Sequence, residues 1–335
     1  MSGPPSAPRL DELFACPGCG AGFDPHARCP GCGSEVPRTV AGVPDFLARA
    51  ERSAPARAVE AFYVEAFYDV RPFPGYAPGD DAGSVLDRSR RSAFLDALDR
   101  AVPAGASVLD AGCGTGQLVA FLALAAAGRR VVGIDGCKAS LAEAQRFRER
   151  AGIANLALAR GDLFDLPLRE GAFDVVISRG VVHHTEDPYG ALRRVAALTR
   201  PGGTFVVGFY ETFGRAFHCT RRWLAGLAGR PIALLDPILR ARDLDAEKKR
   251  TWIADQYHHP LEHILPAPRV VRELESSGFS FLRTVPPATS NADLFAAEAR
   301  APSGLLGRRL GWALAGVGDP DAGLVCVVAR RRGVS

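Results

Sequence analysis

Val108-Leu-Asp-Ala-Gly-Cys-Gly-Thr-Gly116 is a short apolar run, then an acid, then three glycines at alternate positions. A helical pattern begins at Gln117. A strand ending this way presents bare backbone to a ligand. Side chains at Gly112, Gly114 and Gly116 would block the approach, and the turn needs backbone angles that only glycine adopts cheaply. The loop is not a dinucleotide fingerprint, because the third glycine of G-x-G-x-x-G falls on Gln117. Nor is it a Walker A loop, since no Gly-Lys-Ser/Thr follows. A strand-to-helix turn without a ligand is the plain alternative.

The downstream chain weighs against that alternative. Arg130-Val-Val-Gly-Ile-Asp135 is an apolar strand ending in an acid that can accept both hydroxyls of a ribose. Leu156 to Asp162 is a third strand with an acid at its end, followed by Leu163 and Phe164. Phe173 to Ser178 is a fourth, leading into Arg179-Gly-Val-Val-His-His184. Helical spacing over Leu192 to Leu198 stops at Arg200-Pro-Gly-Gly203, and a fifth strand runs from Thr204 to Phe209. In this order and at these intervals, the run from Ser107 to Tyr210 resembles the cofactor half of class I S-adenosylmethionine (SAM) methyltransferases. The resemblance implies an α/β fold, a Rossmann-like seven-stranded sheet with flanking helices. It implies SAM as cofactor, held by Asp110, Gly112, Gly114, Gly116, Asp135, Gly136, Asp162, Leu163 and Ser178. The acid at 162 would meet the adenine amino group, with apolar neighbours flanking the ring.

The N-terminal part has a different chemistry. Cys16-Pro-Gly-Cys19 and Cys29-Pro-Gly-Cys32 are two C-x-x-C turns, each followed by glycine. Four thiolates make a tetrahedral sulfur site that suits a structural Zn2+. Two disulfides are the alternative, and His26 between the pairs is a surface residue or a substitute ligand. The stretch through Leu47 resembles the Trm112-like zinc ribbon placed ahead of bacterial methyltransferases. So small a segment buries little core, so the metal supplies its folding energy. Loss of Cys19 is expected to unfold the ribbon and leave the cofactor half intact. The expected organisation is a ribbon at 1–47, a linker and helices at 48–100, and the catalytic domain at 101–335. Cap insertions are expected at about 211–267 and 286–322.

Composition narrows the function classes. The 335 residues are 47% hydrophobic and 23% charged, with 41 Lys and Arg against 37 Asp and Glu, a net charge of +4. That is ordinary for a globular protein. Arg330 to Arg332 read as a solvated basic end. The N-terminus lacks an apolar signal core. The longest apolar run, Leu118 to Ala127, is too short to cross a bilayer. A cytoplasmic protein with reduced thiols and no membrane partner is therefore expected.

Methyl transfer from a sulfonium is an in-line displacement, and an oxygen or nitrogen acceptor must also lose a proton. A histidine titrating near neutrality suits that task, and His183 or His184 after the fourth strand is the expected general base. The alternative is that one orients a loop and the other faces outward. Arg179, Tyr210, His258 and His259 are the expected acceptor-side residues. His259, Glu262 and His263 could instead hold a metal, although Pro260 interrupts the helix that would align them. An aromatic group at Phe62, Tyr63, Phe67 and Tyr68, followed by the turn at 71–76, either closes over the site or packs on the core. Asp87 is the expected cap of a helix running to Arg100. No Asn/Asp-Pro-Pro-Tyr/Phe and no Pro-Cys follow the fourth strand, which disfavours planar amino groups and cytosine C5 as acceptors. A small molecule methylated on oxygen leads. Between Cys16 and Leu47 the only Lys or Arg residues are Arg28 and Arg38, so a nucleic-acid acceptor touched by the ribbon is the weaker reading. A non-catalytic module that recruits a protein through the ribbon is the third.

Overall fold

The structure, a computed structural model, describes residues 13–16, 18–24, 28–48, 53–68, 75–77, 79–228, 236, 239, 246–286, 293–298, 305–316 and 323–333. His26 and residues 71–74 lie outside the described residues, as do the side chains of Tyr63, Phe67 and Tyr68.

Seven strands form one sheet: β1 (Ser107–Ala111), β2 (Arg130–Asp135), β3 (Leu156–Arg160), β4 (Phe173–Arg179), β5 (Thr199–Tyr210), β6 (Phe279–Val285) and β7 (Leu324–Arg331). Their order is β3-β2-β1-β4-β5-β7-β6. β1 to β5 pair in parallel, and β7 enters antiparallel between β5 and β6. β1 is buried along its whole length. Its apolar residues Val108, Leu109 and Ala111 do not alternate with exposed polar ones, because parallel strands are covered on both faces. The expected seven-stranded Rossmann-like sheet is therefore present. The order reverses between β1 and β4, so their carboxyl ends border the crevice where open α/β sheets bind ligands.

Among the described residues, α2 (Ala82–Arg90), α3 (Ala93–Ala101), α4 (Gln117–Ala125) and α5 (Lys138–Arg150) cover one face. The other face carries α6 (Pro188–Ala196), α9 (Ala267–Ser276) and α10 (Leu305–Ala315). The single helix expected up to Arg100 is two helices. Asp81 caps the first in a reciprocal pair with Ser84, and Ser92 caps the second. Asp87 is inside α2 and caps nothing. Helix α1 (Ala54–Tyr68) precedes them, and α7 (Ala216–Ala228) and α8 (Ala246–Tyr257) belong to the segment after β5.

That segment closes on itself at the strand end. Leu265 N–H donates to the Tyr210 carbonyl at 2.8 Å, and Leu265 bridges to Glu211. Glu211 is fully buried. Its carboxylate accepts from the amides of Phe213 and Gly214 and from Arg309 Nε at 2.7 Å. A buried carboxylate is tolerable only with such partners, and this one ties both ends of the insertion to α10.

The N-terminal segment is not an independent unit. Leu13, Phe14, Phe23 and Cys29 share one core with Leu168, Phe173 and Leu192. Phe14 stacks on Phe46 at 5.8 Å between ring centres. The segment pairs with the chain just after β3, Ala15 N–H donating to Pro167 O at 3.0 Å and Arg169 N–H to Leu13 O at 3.1 Å. It also pairs with the end of β3 through a bridge between Asp45 and Arg160. It thus covers a sheet edge that would otherwise offer unpaired backbone groups. The metal is therefore not the only source of its folding energy. The basic end also departs from expectation. Arg330 and Arg331 lie in β7, where Arg331 Nη1 donates to the carbonyls of Ala197 and Thr199 at 2.8 and 2.6 Å.

Truncating Phe14 to alanine in this shared core is expected to cost about 3–5 kcal/mol. Calorimetry should show one unfolding transition moved to lower temperature, because ribbon and sheet lose the same contacts. A separate early transition with the main one unchanged would contradict the shared core.

Candidate functional site

The turn after β1 folds over the tip of β2. Gly112 and Cys113 donate their amides to the Ile134 carbonyl at 2.7 and 3.0 Å, and Gly114 donates to Asp135 Oδ2 at 2.8 Å. Cys137 N–H donates to Asp135 Oδ1 at 2.7 Å. Gly112, Gly114 and Gly116 all have positive φ, at 89°, 54° and 76°. A Cβ on Gly112 would overlap the methyl groups of Val181, and one on Gly116 would lie 2.8 Å from Ala144 Cβ. The glycine loop is thus pressed between the chain after β4 and helix α5, which is the close approach its sequence calls for.

The carboxylates expected to hold a nucleoside stand at successive strand tips. Asp135 ends β2, Gly136 follows it, and both oxygens of Asp135 each accept an amide. Asp162 lies two residues beyond β3, with Oδ1 accepting from Phe164 N–H at 2.9 Å. Leu163 and Phe164 are partly buried against the core, as ring-flanking residues would be. Asp110 is on the other side of the glycine turn. Burial first, then the neighbouring Asp135 charge, push its carboxyl up to about 7, and Arg179 opposes them. These residues fit a cationic nucleoside donor: bare backbone, a ribose acid, and a buried acid seeking positive charge. Ser178 does not join them. It is fully buried and donates its hydroxyl to the Ala111 carbonyl at 2.9 Å, bracing β4 against β1.

A wall of rings rises beside the turn. His183 packs on His184 and on Tyr210, each at 4.1 Å between centres, and His184 lies 3.8 Å from His259. Phe62 of α1 meets His259 edge-on at 5.0 Å. Arg215 stacks over Tyr210 at 3.8 Å. It donates to Gln256 Oε1 at 2.7 Å and to Glu262 Oε2 at 3.1 Å. His184 Nδ1 is 2.9 Å from the Leu261 carbonyl, which assigns the Nδ1–H tautomer. The insertion is therefore locked onto the chain after β4; Phe62, from the aromatic group expected near the site, meets it there, and Arg215 and Gln256 join it without any sequence signal of their own.

The expectation of a histidine titrating near neutrality fails. Burial lowers His184 to about 4 and drives His183 well below its ordinary value. His183 is fully buried and neither of its ring nitrogens has a hydrogen-bond partner, so it backs the wall rather than meeting an acceptor. His184 and Tyr210 remain partly exposed, His259 is buried, and His258 is exposed. Arg179 is exposed, crosses Gly208 and lies over the Phe94 ring at 5.3 Å. The alternative metal at His259, Glu262 and His263 does not form: Glu262 is held by Arg215 and Arg222. Among the described residues, the only cluster of three or more metal-ligating side chains is the four cysteines.

Those cysteines all lie within 4.8 Å of one another through their sulfurs and none is in a disulfide. Cys16 and Cys32 are 3.6 Å apart, and Cys19 and Cys29 3.3 Å. Zn–S bonds of about 2.3 Å put tetrahedral sulfurs roughly 3.8 Å apart, whereas a disulfide needs about 2.05 Å. Gly20 and Gly33, with φ of 74° and 73°, each return an amide at 2.8 Å to the first cysteine of their pair. The set fits a structural zinc with no open position for a substrate.

Fold and loop together define an α/β SAM-binding class. Residues 109–207 match a family described as "Methyltransferase domain". An uncharacterized protein of Synechococcus sp. is 32% identical over 65% of this chain and 58% of its own length. An uncharacterized methyltransferase of Mycobacterium bovis is 34% identical over 40% of this chain and 67% of its own. A ubiquinone biosynthesis O-methyltransferase of Chromobacterium violaceum is 38% identical over 36% of this chain and 50% of its own. The chain belongs to the class I SAM-dependent methyltransferases. It spans 58% and 34% of the lengths of the first two relatives, the second being an uncharacterized Streptomyces fradiae protein. No helix among the described residues is long and apolar enough to cross a membrane.

Two outcomes follow from this geometry. Because the folded-state carboxyl of Asp110 titrates at about 7, a positively charged donor must displace its proton below that pH. SAM affinity measured by calorimetry is expected to rise by up to about tenfold per pH unit below 7 and to level off above it. Asp110→Asn should flatten that part of the profile. Asp135→Ala removes charge-assisted hydrogen bonds worth about 1.5–3 kcal/mol each, so SAM binding should weaken by at least tenfold; unchanged affinity would refute its place at the ribose.

Proposed function

We propose that this chain transfers the methyl group of SAM to an oxygen of a small molecule. The observation that carries the reading is the glycine turn after β1, set between the carboxylates of Asp110 and Asp135, with a wall of rings from His183, His184, Tyr210 and His259 at the ends of β4 and β5. The bound donor supplies an electrophilic methyl group on a sulfonium. The chain's own residues then have three tasks: to hold the nucleoside, to aim the acceptor along the methyl–sulfur axis, and to exclude water. Asp135 and Asp162 hold the ribose and the base. Tyr210 and His184 face the acceptor. His184 is neutral throughout the physiological range and its Nδ1–H is committed to Leu261, so its Nε2 accepts the acceptor's hydroxyl proton as a hydrogen bond. His184 therefore orients the hydroxyl rather than ionising it; the proton leaves to water, which favours an acidic hydroxyl, a phenol or enol, as the acceptor. His259, with Phe62 edge-on to it, supports the His184 ring from behind.

The nucleic-acid alternative has less support. Arg28 pairs with Glu35 and Arg38 donates to the Gly42 carbonyl, so the cations of the ribbon are engaged within it. The ribbon's contact with its own sheet likewise supports an internal partner before an external one.

Incubating the protein with methyl-labelled SAM and a small-molecule extract should label a low-mass hydroxyl compound. His184→Ala removes one hydrogen bond to the acceptor, worth about 0.5–1.5 kcal/mol, so kcat should fall by about 2–10-fold with SAM binding intact. Label appearing in RNA would move the acceptor to the other class.

A further inference from the structure

Arg160 joins three parts of the molecule that the sequence keeps far apart. It is the last residue of β3, and its side chain is 5% exposed. Nη1 donates to both oxygens of Asp45 in the ribbon, at 3.0 and 3.2 Å. Nη2 donates to Glu60 of α1 at 2.7 Å. Nε donates to the carbonyl of Gly136, the residue after Asp135, at 2.9 Å. The backbone repeats the link: Arg160 N–H donates to Pro44 O at 2.8 Å and Phe46 N–H to Arg160 O at 3.0 Å. Gly161 N–H donates to Asp135 O at 3.1 Å, so the turn after β2 is held from both sides of β3's end.

We infer that Arg160 is a positioning residue through which the zinc ribbon sets the donor loop and the helix over the acceptor site. The inference rests on the reading of the β1–β2 end as the donor pocket. A guanidinium offers its donors in a fixed planar fork, so three acceptors bound at once have fixed relative positions. One of them carries Asp135 as its neighbour. Another belongs to α1, whose Phe62 meets His259 in the ring wall. Asp45 is itself 3% exposed and is anchored by the ribbon, where Phe46 packs against Phe14 and Phe23. The nearby Lys138 is 3.7 Å from Asp45 and mostly exposed, so it adds little. The ribbon shares the sheet's core, and through this buried cation it also reaches the residue next to Asp135. Its effect falls on affinity and on α1 together.

The test measures binding of S-adenosylhomocysteine by calorimetry, with zinc content and amide hydrogen exchange, on the full chain and its variants. Arg160→Met is expected to weaken binding roughly tenfold with one zinc retained. Arg160→Lys keeps the charge but not the fork, and should recover only part of the loss. Asp45→Asn, which preserves shape, should weaken binding less, and should speed exchange in residues 136–138 and in α1 while β4 and β5 stay protected. Should Arg160→Met fail to fold, Asp45→Asn alone decides through that exchange pattern. Unchanged affinity in Arg160→Met, full recovery by lysine, or exchange altered only within the ribbon would each overturn the inference while leaving the donor site standing. No binding by the unaltered chain would overturn the donor-site reading and this inference with it.

Discussion

The hydrogen bond from the Gly114 amide to the Asp135 carboxylate fixes the end of β1 relative to the end of β2. It forms only because the chain between them has no side chains at the turning positions. The Ile134 carbonyl adds two further amides from the same turn. The result is a rigid backbone shelf with acids on either side. Asp110 is buried enough there to hold its proton up to about pH 7. An acid kept partly neutral by burial is a receptor for positive charge, because a cation brings back the ionised form. In the proposed reading, this is how Asp110 favours a sulfonium donor.

Around that shelf, two additions to the core sheet do different work. The insertion after β5 is fastened by partnered polar groups: Glu211 to α10, Arg215 to Gln256 and Glu262, and His184 to Leu261. Buried charges that each have partners are costly to rearrange, so the ring wall is a fixed surface. The ribbon supports the opposite edge. Its aromatic residues merge with the sheet's own core, and Asp45 meets Arg160 in the interior. A metal module that shares a core with its enzyme couples its stability to the enzyme's, unlike one joined by a linker alone.

Sequence reasoning reached as far as local chemistry reaches. The glycine spacing, the strand-end acids and the paired C-x-x-C turns each express a constraint that acts within a few residues. They located the sheet, the donor loop and the four sulfurs. Asp87 was misread because a polar residue near a helix start looks like a cap, and only the break at Ser92 shows where each helix begins. The resemblance implies Ser178 as a cofactor ligand, yet its hydroxyl turns inward from β4 to the Ala111 carbonyl. His183 and His184 follow β4, but they do not titrate near neutrality, since burial lowers their proton affinity and burial is a property of the packed chain.

The sequence by itself determined the class of fold, through the glycine turn and the strand-end acids at fixed intervals, and the resemblance those residues carry implied the kind of donor. It also determined the metal chemistry, because two matched cysteine turns bring four sulfurs to one point. Only the tertiary structure decided what touches what across long separations. Asp45 and Arg160 are 115 residues apart, and His184 and Leu261 are 77. No local pattern encodes such pairs. They exist because the sheet order and the two appended segments bring their backbones together, and a buried guanidinium or imidazole must then find its partner in whatever lies within reach.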